Sequence, residues 1–334
     1  MAQTTIPTLT DEQLKLGIRI SRIFMPFATD QIDRLYPTPD HRAQFVHYTS
    51  AEAAINIIKR KRLWMRNTTC MADFREVAHG YDYLFNVFTK SPRGKEFIEA
   101  LDSCVPGPAH QALTTFDQHW PDIRLNTFIS SVSEHKPSED NCGRLSMWRA
   151  FGASPSRVAF VFSLPKYTSA ALSLGLLFSP VAYFDEAGVS DQFVRVTELI
   201  KSNAEFLRTV DPKLLFGFVY QMLTAAVVCL KHKAFDEELE WRIIYGPNRI
   251  PSELMEVSTE VIAGIPQIVC KIPLDASKSP LLAELDMATV FTRLIIGPTQ
   301  YPAALADAFI RELREVGVQD AGDRVHFSNI PLRT

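Results

Sequence analysis

Short apolar runs of strand length recur along this chain, and the stretches between them differ too much in length and character to repeat one strand–helix–strand unit. Residues 44–48, "RLWMRN" at 62–67, "RLNTFISSVS" at 124–133, "SRVAFVFSL" at 156–164, "LLFSPVAYF" at 176–184, "ELEWRIIYG" at 238–246, "QIVCKIPL", "RLIIGP" and "DRVHFSN" read as strands, by β-branched content or by period-two alternation. Helical patterning fills 8–24, begun by Thr8 or Thr10, and 50–60, begun by Thr49 or Ser50 with a stripe of Ala53, Ala54, Ile57 and Ile58. It also fills 73–119, "GRLSMWRAFG" at 143–152 (ended by Gly152) and "QYPAALADAFIRELREVGV". Strands and helices mixed this irregularly predict an α+β fold rather than a doubly wound sheet. The expected organisation is an N-terminal helical extension over 1–43 and a single α+β domain over 44–334. That domain carries helical insertions at about 73–119 and 189–233, the second broken near Asp211-Pro212.

Composition narrows the function classes. Hydrophobic residues make up 46% and charged residues 22%, with a net charge of −3, so no general electrostatic grip on nucleic acid is implied. No apolar run reaches the roughly 18 residues of a membrane span, and the first residues lack the basic and apolar regions of a signal peptide. A cytoplasmic protein without membrane contact is the expectation. The cysteines Cys70, Cys104, Cys142, Cys229 and Cys270 are scattered without metal-ligand spacing, which predicts reduced thiols and no metal site.

Four stretches place polar groups within or beside apolar strands: His47-Tyr48-Thr49, Leu63 to Asn67, Phe128 to Ser133, and Glu237 to Arg242. Strand alternation over "EELEWRIIY" puts Glu238, Glu240 and Arg242 on one face. A solvent-facing row is one explanation. The other is a carboxylate aimed into a cleft, where it would bind a ribose hydroxyl or stabilise an oxocarbenium ion. His47, if not structural, would donate to a ribose or phosphate oxygen. Tyr48 alternates to the other face and reads as core. Thr49 would cap the following helix or meet an anion at its start. Trp64 is core by default, yet large enough to stack on a base or nicotinamide, with Asn67 at the strand end to orient an amide. Ser130 and Ser131 lie on opposite faces of their strand, and the pattern does not say which face lines the cleft. Trp148 sits at core spacing with Phe151, while Arg144 and Arg149 are phosphate-binding candidates.

These marks, in order, resemble a broad bacterial domain-of-unknown-function family. Its members read Y-T-S, L-W-x-x-N, F-N-D-x-x-E, F-S, M-W-x-x-Y, E-x-E-W-R and S-x-I-P-Y-R. The corresponding stretches are "HYTS", "RLWMRN", "ADFRE", "TFISSVSE", "LSMWRAFG", "DEELEWRI" and "SNIPLR", over roughly residues 44–332. The chain departs at "CMADFRE", which keeps only Asp73 and Glu76, at Phe151 and at Leu332.

More distantly, the order resembles the ADP-ribosyltransferase superfamily. An early strand there carries His or Arg, a middle strand Ser or Tyr, and a later strand Glu. That resemblance implies a split β-sheet core with helical insertions and NAD as the substrate. It makes Glu240 the catalytic carboxylate, Glu238 its acceptor-orienting companion and His47 the residue that holds NAD. Tyr48, Thr49, Trp64, Asn67, Ser130, Ser131 (in the Thr position of Phe-x-Ser-Thr-Ser), Arg144 and Trp148 would line the NAD site. The expected activity is ADP-ribosyl transfer to protein or nucleic acid, or NAD hydrolysis, as in a bacterial toxin or antiphage defence effector. Two other readings compete. One is a nucleic-acid module resting on "KRKR" at 59–62 with Arg144, Arg149 and Arg157. The other is a non-catalytic interaction or sensor domain.

Overall fold

The structure is a computed structural model that describes residues 10–71, 75–150 and 156–331, with the side chains of residues 75–79 left aside. Asp73, Phe151, Gly152 and Leu332 lie outside the described residues, as does the side chain of Glu76. The chain separates into two compact units.

One unit comprises Met1–Leu35, Thr68–Thr127 and Ser179–Asp236. The N-terminal helices and both helical stretches thus share one unit with a core of their own, which includes Phe97, Phe193, Leu215, Val219 and Leu223. The helix Asp11–Phe24 starts with a capping box in which Thr10 and Gln13 exchange hydrogen bonds. The helices Arg75–Lys90 and Pro212–Val228 touch at Gly80, where a Cβ would stand 2.6 Å from the carbonyl oxygen of Val227. Asp211 caps the second of these and Pro212 is its first residue, which accounts for the break expected there. Among the described residues, no helix is long and apolar enough to cross a membrane.

The other unit comprises Tyr36–Asn67, Phe128–Phe178 and Glu237–Thr334 and carries the mixed sheet. Its strands, numbered with the rest of the chain, are β1 (Arg42–Ser50), β2 (Arg62–Asn67), β3 (Phe128–Glu134), β4 (Arg157–Pro165) and the start of β5 (Leu177–Pro180), which runs on past the unit's boundary at Phe178. After β6 (Ala182–Tyr183) and β7 (Leu230–Lys231), which pair apart in the helical unit, come β8 (Glu240–Tyr245), β9 (Glu256–Ile262), β10 (Ile265–Pro273), β11 (Phe291–Ile296) and β12 (Val325–Phe327). The order is β12-β11-β4-β1-β3-β2-β10-β9, with β8 on the remaining edge of β3 and β5 beyond it. β11 and β12 run parallel, joined by the crossover helix Pro302–Glu315. The architecture is α+β, as the irregular mixing predicted.

The sheet forks at β3. Its C-terminal end pairs with β1 (Val46 opposite Ser133) and its N-terminal end with β2 (Asn67 opposite Phe128) along the same edge. The helix Ala51–Arg60 connects the two diverging strands. Ser50, not Thr49, is its cap, accepting from the Ala53 N–H, and Lys61 ends it in the left-handed conformation.

Three strand expectations shift. Residues 124–127 precede β3, because Arg124 and Leu125 complete the helix Pro108–Leu125. Residues 176–184 divide into β5 and β6 at Val181. Glu238 closes a 3₁₀ turn, and Leu239 turns left-handed (φ 46°) before β8 begins at Glu240.

Candidate functional site

Register decides which marked side chains meet. On β3 and β8, Ser131 stands opposite Arg242 and Ser133 opposite Glu240. These four therefore share a face, and Val46 of β1, opposite Ser133, shares it too. On that face the Ser131 hydroxyl donates to Glu240 Oε1 at 2.5 Å, and Arg242 Nε donates to the same oxygen at 2.9 Å. The ion pair is buried, with 2% of the Arg242 side chain and 6% of the Glu240 side chain exposed. Ser131 is half-buried, the least enclosed residue of its strand. Ser130 points to the other face, where its buried hydroxyl has no partner among the described residues. The face left open by the sequence is thus assigned: Ser131 is the serine beside Glu240.

His47 reaches the same serine by another route. The pleat sends it to the face of Phe45, whose ring meets Trp241 edge-on, and hence away from Glu240. It stands just beyond the last β1–β3 pair, in the fork, and its Nδ1 lies 3.0 Å from the Ser131 carbonyl oxygen. A carbonyl only accepts, so Nδ1 carries the hydrogen and a neutral ring presents Nε2 as an acceptor. Burial holds the His47 pKa below its usual range, the bond to Ser131 opposing it. The expected donor to a ribose oxygen is thus spent within the fold, and neutral His47 offers an acceptor to a hydroxyl instead. Thr49 leaves on the same face as His47.

The remaining marked residues divide into two groups. Trp64 is half-buried, alternating with the buried Leu63 and Met65, so it is not the core residue expected by default. Its ring lies 5.1 Å from Lys271 Nζ. The pairing of Arg66 with Ile129 puts Arg66 and Trp64 on the Glu240 face, and Asn67 on the other. Tyr48 and Trp148, by contrast, are core. Trp148 is 1% exposed, its Nε1 donates to the Cys142 carbonyl and its ring meets Tyr48 edge-on. Burial pushes the Tyr48 phenol up to about 12, and its oxygen accepts from the Arg144 backbone N–H at 2.7 Å.

Arg144 is fully engaged. Its guanidinium donates to both carboxylate oxygens of Glu139, to the Glu134 carbonyl and to the carbonyls of Glu237 and Glu238. These bonds use all five N–H groups of an arginine. Arg144 therefore clamps the end of the serine strand to the turn that launches Glu240, rather than presenting itself to a phosphate. The carbonyl of the left-handed Leu239 accepts from the Glu134 N–H at 3.0 Å, completing the clamp. Glu238 lies outside the strand, so its side chain does not continue the Glu240 row.

Three residues of the basic run are likewise engaged: Lys59 pairs with Glu312, Lys61 with Asp275 and Arg62 with Glu256. Arg157 donates to the Trp148 carbonyl. Among the described residues no cluster of His, Cys, Asp and Glu has the makings of a metal site. Arg242 was absent from the expected site residues, although its place two residues after Glu240 on one strand is the signal for it.

Residues 147–243 match the model of a family described as "Protein of unknown function (DUF2971)". The match includes Trp148, Glu238, Glu240 and Arg242, and stops short of His47 and Ser131. No curated protein and no solved structure matches the chain.

Proposed function

We propose that this chain cleaves NAD at the nicotinamide–ribose bond and transfers ADP-ribose to a protein, a nucleic acid or water. The observation that carries the reading is the hydrogen bond from Ser131 to Glu240 at the fork of the sheet. Three strands with the expected marks lie side by side, β1 with His47, β3 with Ser131 and β8 with Glu240. When the C–N bond breaks, its electron pair leaves with nicotinamide and positive charge develops on the ribose. A fixed carboxylate offsets that charge best when its own orientation costs nothing at the moment of reaction. Ser131 and Arg242 hold Glu240 in this way. The acceptor then bonds to the ribose carbon and releases its proton. Trp64, half-buried on the same face, supplies the stacking wall for nicotinamide. His47 acts through Ser131, and its Nε2 accepts from a ribose hydroxyl within the fork. In this reading the strand order is that of a split ADP-ribosyltransferase-like core.

Nicotinamide release from NAD by the purified chain tests the proposal, beside Glu240→Gln and with mass analysis of protein and added nucleic acid. Release that falls about 10²–10³-fold in the variant is the expected result. The position of the added mass separates transfer from hydrolysis.

A second reading, a non-catalytic binding domain, is favoured by one observation: the pleat directs His47 and Glu240 to opposite faces. No release, together with no heat of NAD binding in calorimetry, would select it.

A further inference from the structure

Among the described residues, the strand β9 ends the sheet, pairing with β10 alone. Such an edge invites another strand, and proteins commonly blunt it with proline, lysine or a bulge. This one, EVSTEVI, has no proline or lysine, its two charged residues Glu256 and Glu260 are each paired with a cation of the same chain, and its register with β10 runs unbroken from Ile262 to Glu256. One face of the hairpin is apolar and open: Val257 is 56%, Val261 67% and Ile268 54% exposed. Apolar side chains grouped on one face in this way mark an interaction surface.

The backbone fixes which groups are on offer. The hairpin turns through Ala263 and Gly264, both at positive φ, with Ile262 opposite Ile265. In such a two-residue turn the flanking pair exchanges hydrogen bonds, and alternate pairs follow suit. Ile262, Glu260, Ser258 and Glu256 therefore point their N–H and C=O groups at β10. Val257, Thr259 and Val261 point theirs outward.

We infer that β9 pairs antiparallel with β9 of a second copy, about a twofold axis at Thr259, joining two sheets into one. That axis sets Thr259 against Thr259 and Val257 against Val261, which are the residues with outward backbone groups. Both sides of the pairing are thus satisfied without a shift in either chain. On the open face the valines of one copy meet those of the other, as an isologous contact requires. On the other face Ser258 stands across from Glu260, and within each chain the Ser258 hydroxyl donates to its own Glu260 at 3.0 Å. The glutamates bring their own cations. Lys271 lies 2.5 Å from Glu260, while Arg62 and Lys278 attend Glu256, and each is held below the usual carboxylate range, by the Lys271 hydrogen bond for Glu260 and by Arg62 against burial for Glu256. The two copies meet without uncompensated like charge.

The test is the mass of the full chain by sedimentation over a concentration series, beside Val261→Lys and Thr259→Pro. Val261→Lys charges the open face. Thr259→Pro removes an outward N–H and no bond to β10. The expected result is a wild-type dimer and self-association weakened at least about tenfold in each variant, with unchanged circular dichroism. Should Thr259→Pro fail to fold, Val261→Lys decides alone. A wild type that stays monomeric overturns the inference. So does a dimer that both folded variants retain, or growth past two copies, since a closed twofold stops there.

Discussion

Ser131 joins His47 and Glu240 from the two sides of one residue: its carbonyl receives His47 Nδ1 at 3.0 Å, and its hydroxyl gives to Glu240 at 2.5 Å. The serine strand is thereby the reference frame for both neighbouring strands. Ser131→Ala removes the hydroxyl and keeps the carbonyl. We expect it to lower nicotinamide release about tenfold, in line with one lost orienting hydrogen bond of roughly 1–1.5 kcal/mol, and to leave His47 in place. NMR of the His47 ring checks the second half. A ring shift as large as that of unfolding would mean that the Ser131 carbonyl is not held independently of its hydroxyl, and that His47 depends on the bond to Glu240.

Removing Glu240 outright confuses chemistry with stability. Arg242 is almost fully buried beside it, and a buried charge stripped of its partner costs about 3–5 kcal/mol. Glu240→Ala should therefore unfold at markedly lower denaturant, whereas Glu240→Ala with Arg242→Met should recover most of that loss. A double variant no more stable than the single one would mean that Arg242 has enough other partners to stand alone.

The clamp makes a prediction independent of any reaction. Arg144→Lys keeps the charge and cannot reproduce five directed bonds. We expect it to cost about 2–4 kcal/mol and to speed amide exchange at the β8 start and in the turn before it. Leu239 sits at φ 46° within that turn, a conformation that glycine adopts without strain and a β-branched residue resists. Leu239→Gly should thus be better tolerated than Leu239→Val, by about 1 kcal/mol or more. Equal stability of the two would show that the turn relaxes when side chains change.

Much of this frame is legible in the sequence because apolar runs announce strands whatever their partners. "SRVAFVFSL" and "ELEWRIIYG" needed no partner to be recognised. Partnership is another matter. Alternation in "FISSVS" says that Ser130 and Ser131 differ in face, but only the pairing of Ser131 with Arg242 gives that difference a sign. Extending alternation back to Glu238 fails because Leu239 turns left-handed without a glycine to signal it. Arg144 reads as a free cation since its carbonyl acceptors at Glu237 and Glu238 lie 93 and 94 residues away. The strand β9 escapes notice because its valines look outward, among glutamates and hydroxyls.

The last prediction concerns acid. Burial lowers the His47 pKa from its ordinary 6.5, and burial lowers that of His326 as well, with Arg293 adding to it. Above 6.5 both residues are neutral in the folded and unfolded chain alike, so they contribute no pH dependence there. Below it the unfolded chain takes up protons that the folded chain refuses, and stability falls with falling pH until the folded values are reached. One such group changes stability by up to about 1.4 kcal/mol per pH unit. Thermal unfolding between about pH 7.5 and about pH 5 should show the decline, and His47→Gln should make it shallower. The glutamine amide can still donate to the Ser131 carbonyl but cannot titrate. An unchanged slope in that variant would assign the acid sensitivity to His326 and the carboxylates, and would mean that the fork admits enough water to let His47 charge as freely as it does in the unfolded chain.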